Sequence, residues 1–152
     1  MEQEINEKAK DYLTIKIADQ RFGIPVLQVQ DVLREQAVTK IPLAPPEVAG
    51  SLNLRGRIVT AINVRKRLGL PPIEDGKSCM SVVVEHQNEL YSLNIDSVGD
   101  VLSLDGSQFE KSPNTLDPIW RDISTGIFQL KNDLLIIVDV SKLLENLHDK
   151  AA

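Results

Sequence analysis

Residues 50–68 of this 152-residue chain return, without a gap, at residues 126–144. Gly50 falls on Gly126, Leu54 on Leu130, Val64 on Val140, Lys66 on Lys142 and Leu68 on Leu144, each 76 positions on. A second match, 69 positions apart, sets Asp31-Val32-Leu33 on Asp100-Val101-Leu102 and Phe22 on Tyr91. Such an echo restricts the fold more than composition does, because one supersecondary unit has to serve twice. Units of roughly 65–75 residues bury only a modest core alone, so the two are expected to pack on one another.

Each unit reads as β structure. Leu13, Ile15 and Ile17 alternate with Thr14, Lys16 and Ala18, the period of a half-buried strand. Asp19-Gln20-Arg21 reads as a turn into Phe22–Ile24. Val29, Val32 and Leu33 mark a further apolar element whose type is open, and the prolines between Ile41 and Glu47 make an irregular connection. Leu52 and Leu54 form a strand, Arg55-Gly56-Arg57 a hairpin turn and Ile58–Ile62 the partner strand, with Gly56 suited to the positive φ of a tight turn. Asn63 is placed as the N-cap of a short helix, Val64–Leu68. In the second half Ser81–Glu85 and Leu90–Ile95 flank a polar turn, Asp105–Pro118 is a polar loop, and a last hairpin leads into a helix over Ser141–His148. The expected organisation is mainly β: a disordered tail (1–11), then two tandem five-stranded small barrels (12–78 and 79–148). Strand 12–17 could complete its own barrel or cross to the other.

Where the copies agree, strands, turn and cap suffice as explanation. They differ in charge. Gly50–Leu70 carries Arg55, Arg57, Arg65, Lys66 and Arg67 and no acid, inside a chain of formal charge −5. Arg55 becomes Lys131, Arg57 becomes Asp133, Arg65 becomes Ser141 and Arg67 becomes Leu143. These arginines are therefore expected not to be demanded by the fold. Arg55 is the functional lead, since a guanidinium fork can hold a carboxylate bidentately. Arg65, Lys66 and Arg67 read as a solvated helix face.

Catalytic constellations do not emerge. His86, His148 and Cys79 have no triad or metal spacing, and Asp96, Asp100 and Asp105 are too scattered for a calcium loop. No glycine-rich phosphate loop is present, so neither an enzyme nor a cofactor is expected. A small β-barrel with an Arg-Gly-Arg turn can bind RNA, and an RNA-binding or other protein-interaction module is the alternative reading. A pI near 5.0 and the lack of an aromatic platform beside the basic stripe weigh against it. A single cysteine, a polar start and no long apolar run point to a cytoplasmic protein without membrane insertion.

The run Val48-Ala49-Gly50-Ser51-Leu52-Asn53-Leu54-Arg55-Gly56-Arg57-Ile58-Val59, followed by Ile62-Asn63-Val64-Arg65, closely resembles the signature of the CheW family. Phe22-Gly23-Ile24, Val29-Gln30-Asp31-Val32, Val98-Gly99-Asp100-Val101-Leu102 and Leu135-Ile136-Ile137-Val138-Asp139-Val140 extend the likeness over residues 12–148. Members of this family are bacterial chemotaxis adaptors that join receptors to the histidine kinase CheA. The resemblance implies two SH3-like barrels, no catalysis and recruitment to membrane-associated receptor arrays. It implies a groove for the receptor's cytoplasmic hairpin tip, at positions matching Val29, Gly50, Asn53, Leu54, Arg55 and Val101. It further implies contact with the CheW-like regulatory domain of the kinase through positions matching Asp31, Val38, Thr39 and Lys40. Two departures stand out: Thr60 replaces the usual proline, and Thr115 stands where a relative can carry an aromatic in a ring-closing contact.

Overall fold

Two five-stranded sheets with the same internal order make up the computed structural model, which describes residues 9–34, 36–72, 79–111, 116–131 and 133–144. Among these residues the strands are β1 (Ala9–Ile17), β2 (Gln20–Pro25), β3 (Val29–Arg34), β4 (Val48–Leu54), β5 (Arg57–Asn63), β6 (Met80–His86), β7 (Glu89–Ile95), β8 (Ser97–Asp105), β9 (Ser124–Gln129) and β10 (Leu134–Val138). One sheet runs β8-β1-β2-β10-β9 and the other β3-β6-β7-β5-β4. Every strand thus has a counterpart in the other sheet, and the element left open at Val29–Leu33 is an edge strand.

The sheets do not follow the expected boundary between residues 78 and 79. The whole β1–β2 hairpin joins the C-terminal strands, and β6–β7 joins the N-terminal ones. Each migrating hairpin docks by a parallel ladder: β2 on β10 through Phe22↔Ile136 and Gly23↔Ile137, and β7 on β5 from Val59↔Leu90 to Asn63↔Asn94. The chain changes sheet through very little connector, the single turn Val26–Gln28 after β2 and Asp96 after β7. Periodicity marks a strand and its buried face but not its lateral partner, so the exchange of hairpins was invisible to it. Ala9–Asp11, expected within the tail, belong to β1 and pair with Ser103–Asp105. Residues 1–8, Thr115 and the helix end at 145–148 lie outside the described residues.

The SH3-like units are open rather than closed barrels. Among the described residues the edges β3 and β4 share no ladder, nor do β8 and β9; a single bridge approaches closure in each, Thr39↔Ser51 and Glu110↔Ile127. Glycine permits both. A Cβ on Gly50, whose φ is +153°, would lie 2.5 Å from Thr39 O, and one on Gly126 would run into Glu110 O and the Phe109 ring. The bulge beside each glycine repeats too, between Val48 and Gly50 and between Ile137 and Val138.

Central strands are buried on both faces. Ile15, Ile17, Phe22, Ile24, Val82, Val84, Leu93, Ile95 and Ile136 share one core that draws on both sheets, with Trp120 packed edge-on against Phe22. Tyr12, Phe128, Leu135 and Ile137 form a second cluster in one unit; Val59, Val83 and Leu90 form a third in the other. Non-directional apolar burial of this kind accounts for cohesion between the sheets, and polar groups account for their register.

Candidate docking surface

The β4–β5 hairpin closes through Arg55-Gly56, both at positive φ (51° and 83°), the geometry of a primed two-residue turn that follows strand twist. Asn53 Oδ1 locks it by accepting from Gly56 N at 2.9 Å. Arg57, expected within the turn, instead begins β5 and sits 4.0 Å from Glu85. Leu54 rests half-buried on the Val59–Val83–Leu90 cluster. The turn thereby lifts Arg55 outward, with its side chain 76% exposed.

Arg55 reaches Asp31 on edge strand β3, Nη2 to Oδ2 at 2.9 Å. Asp31 is half-buried; its Oδ1 accepts from Val32 N at 2.9 Å, while Oδ2 is screened from solvent and receives no aligned hydrogen bond. Contact with the guanidinium is therefore a close charge–charge approach rather than a bidentate fork. The two residues, assigned above to different partners, form one ion pair. Other candidates interleave in the same way. The Gly50 backbone lies against Thr39 O and Val38 Cβ, and Thr39 and Ser51 exchange hydrogen bonds of 2.8 Å. Lys40 is exposed beside them. Val29 is half-buried and packs on the shared core. Val101 stands apart on edge strand β8 of the other sheet, 54% exposed and paired with Leu13. A surface using all six receptor candidates thus spans both sheets, whereas the four kinase candidates belong to β3 and the segment after it.

Arg65 and Arg67, expected with Lys66 as a solvated helix face, are instead half-buried. Asn63 caps the Val64–Arg67 helix by accepting from Lys66 N, as Asp139 does from Lys142 N, both at 3.1 Å. From that helix Arg65 holds Asp96 with a two-pronged fork: Nε to Oδ1 at 2.7 Å and Nη2 to Oδ2 at 2.6 Å, the two side chains 18% and 19% exposed. Asp96 Oδ2 also accepts from Ala18 N at the β1–β2 turn, and Arg65 Nη1 donates to Pro71 O. Arg67 points elsewhere, donating from Nε to Leu143 O at 3.1 Å in the helix at 140–144, the repeat of its own. Burial lowers the Arg67 pKa, with the charges of Glu47 and Asp122 opposing the shift. Only Lys66 of the three is exposed. The signal available in sequence was the isolated Asp96, one residue before β8, but nothing in its spacing pointed to Arg65.

Tyr91, the counterpart of Phe22, is buried and donates to Glu89 Oε2 at 2.9 Å. Burial, and then that carboxylate, push its pKa up to about 12. Among the described residues no three of His, Cys, Asp and Glu are grouped to hold a metal, and no helix is long and apolar enough to cross a membrane.

Paired SH3-like units with a polar hairpin tip and an edge-strand carboxylate define a β-sheet interaction module. In sequence, the CheW-like domain family matches residues 11–148. The chain belongs to the CheW family. Relatives include the chemotaxis protein CheW of Klebsiella aerogenes, 28% identical over 90% of this chain and 82% of that one. The Helicobacter pylori and Bacillus subtilis CheW proteins are each 26% identical, covering 94% and 92% of this chain and 86% and 90% of theirs. The crystal structure of the scaffolding protein TtCheW from Thermoanaerobacter tengcongensis superimposes with a TM-score of 0.80 at 28% identity, over 90% of this chain and 92% of that one.

Proposed function

We propose that this chain is a non-catalytic chemotaxis adaptor that couples the cytoplasmic hairpin tips of chemoreceptors to the histidine kinase CheA. The observation that carries the proposal is the Arg55–Asp31 pair, a strongly exposed guanidinium held at a hairpin tip by a half-buried edge-strand carboxylate. Arg55 is presented to solvent by a left-handed backbone that Asn or Gly adopts more readily, so the turn itself gains nothing from arginine. A receptor carboxylate can engage the guanidinium through donors that Asp31 leaves unused. The receptor surface then comprises Val29, Gly50, Asn53, Leu54 and Arg55 on one sheet and Val101 on the other. Asp31, Val38, Thr39 and Lys40 form the kinase surface. Gly50 and Asn53 serve the receptor surface by shaping the bridge and the turn. Within a cytoplasmic array, modest single contacts are strengthened by multivalency.

RNA binding is less well supported, because most of the stripe beyond Arg55 is taken up within the fold: Arg57 lies near Glu85, Arg65 is held by Asp96 and Arg67 donates to Leu143 O. The test is Arg55→Ala. The guanidinium is largely exposed, but its loss leaves the screened Asp31 carboxylate without its counter-charge, so stability is expected to fall by about 1 kcal/mol in urea melts. Affinity for a receptor hairpin fragment, followed by calorimetry, is expected to fall by roughly tenfold. Unchanged affinity would remove Arg55 from the receptor surface.

A further inference from the structure

Cohesion between the two sheets comes mostly from apolar side chains, which fix distance better than orientation. Among the described residues, side-chain hydrogen bonds between the units gather at one helix of a single turn. Arg65 runs from it to Asp96 and Pro71, and Asp96 passes the connection to Ala18 N in the opposite sheet. Arg67 runs from the same helix to Leu143 O, in the matching helix of the other unit. Ser141 and Leu143 stand at the equivalent positions of that second helix. A contact between two repeated units is shared by both, so one copy of the latch is enough. That explains why these arginines occur only once although the fold uses them.

We infer that the Val64–Arg67 helix is an orientational latch, with Arg65 and Arg67 as positioning residues that hold the Arg55 turn and the Val101 edge at one fixed angle for a partner that grips both sheets. The inference rests on the two-sheet receptor surface proposed above. A planar guanidinium held by two short bonds to a half-buried carboxylate tolerates little rotation, and a lysine ammonium in its place is a point charge without that fork. The latch therefore acts on the partner spanning both sheets. The kinase candidates, all on β3 and the following segment, are indifferent to the angle.

The experiment uses the full chain with Arg65→Ser, which imports the counterpart residue, and Arg65→Lys, which keeps the charge. Backbone residual dipolar couplings, fitted sheet by sheet, report orientation without reference to any partner. In the parent protein both sheets are expected to share one alignment tensor; in each variant the two tensors are expected to separate. Affinity for the receptor hairpin fragment is expected to fall by roughly tenfold, while affinity for the kinase regulatory domain stays within about twofold. A shared tensor in both variants would overturn the latch, and so would equal losses for the two partners. Should Arg65→Ser fail to fold, Arg65→Lys carries the same readouts. If the parent protein does not bind the receptor fragment at all, the adaptor reading fails, while the dipolar couplings still decide whether the latch exists.

Discussion

The block Gly50–Leu68 and its repeat Gly126–Leu144 share a scaffold and differ in what they hold together. Both place a glycine where the closing segment crosses, both bulge beside it, and both cap a short helix with an Asn or Asp side chain. The first carries four arginines at positions where the second has Lys131, Asp133, Ser141 and Leu143. Absence from the repeat suggested that all four lie outside the fold's needs. Structurally they divide: Arg55 faces outward from a turn, Arg57 begins β5 near Glu85 of the same sheet, and Arg65 and Arg67 bind one unit to the other. In a two-copy fold, absence from one copy therefore does not by itself free a residue from the fold, since it can be half of a joint between the copies. Burial of the side chain separates Arg65 from Arg55 in this respect.

The largest test of equivalence between the copies is at the glycines. Gly50→Ala would press a methyl group on Thr39 O in a positive-φ backbone, and Gly126→Ala would meet backbone and an aromatic ring. Each is expected to cost about 3 kcal/mol in denaturant unfolding. A large loss at one position only would break the structural parallel. The caps come next. Asn63→Ala and Asp139→Ala are each expected to cost about 1 kcal/mol, since each leaves one helix N–H without its acceptor. Unequal costs would show that one helix is held mainly by its tertiary contacts.

The smallest effect sharpens the comparison between Phe22 and Tyr91, which differ by one hydroxyl. The Tyr91 pKa lies above its ordinary 10.0, at about 12 in the folded protein, so the folded state keeps the proton that the unfolded chain loses first. Its contribution to stability is complete below pH 10 and is lost as pH rises from 10 towards 12. Tyr91→Phe is expected to flatten that part of the alkaline stability profile relative to the parent. Superimposable profiles across this range would contradict the assigned environment of the hydroxyl.

Much of the fold was legible in residue pattern. Alternation gave the strands around Leu13–Ile17 and Leu52–Ile62, Gly56 gave the turn, Asn63 the cap, and the two offsets gave two matching units. Sheet membership was not legible, because the face a residue buries says nothing about which strand lies beside its own. The crossing of strand 12–17 stood as one of two alternatives, and the exchange of the whole β1–β2 and β6–β7 hairpins emerged only from the ladders. The same limit applied to the site. Arg55 stood out by charge and turn position, but its pairing with Asp31 and the grasp of Arg65 on Asp96 join residues 24 and 31 positions apart through tertiary contact.

The central claim is that one partner spans both sheets while the other uses only one. Amide chemical-shift mapping tests it most directly, by titrating the isotope-labelled chain separately with a receptor hairpin fragment and with the kinase regulatory domain. The receptor fragment is expected to shift Val29 and Arg55 on one sheet together with Val101 on the other. The kinase domain is expected to shift Asp31 and Val38–Lys40 and to leave Val101 in place. Receptor-induced shifts confined to a single sheet would contradict the claim.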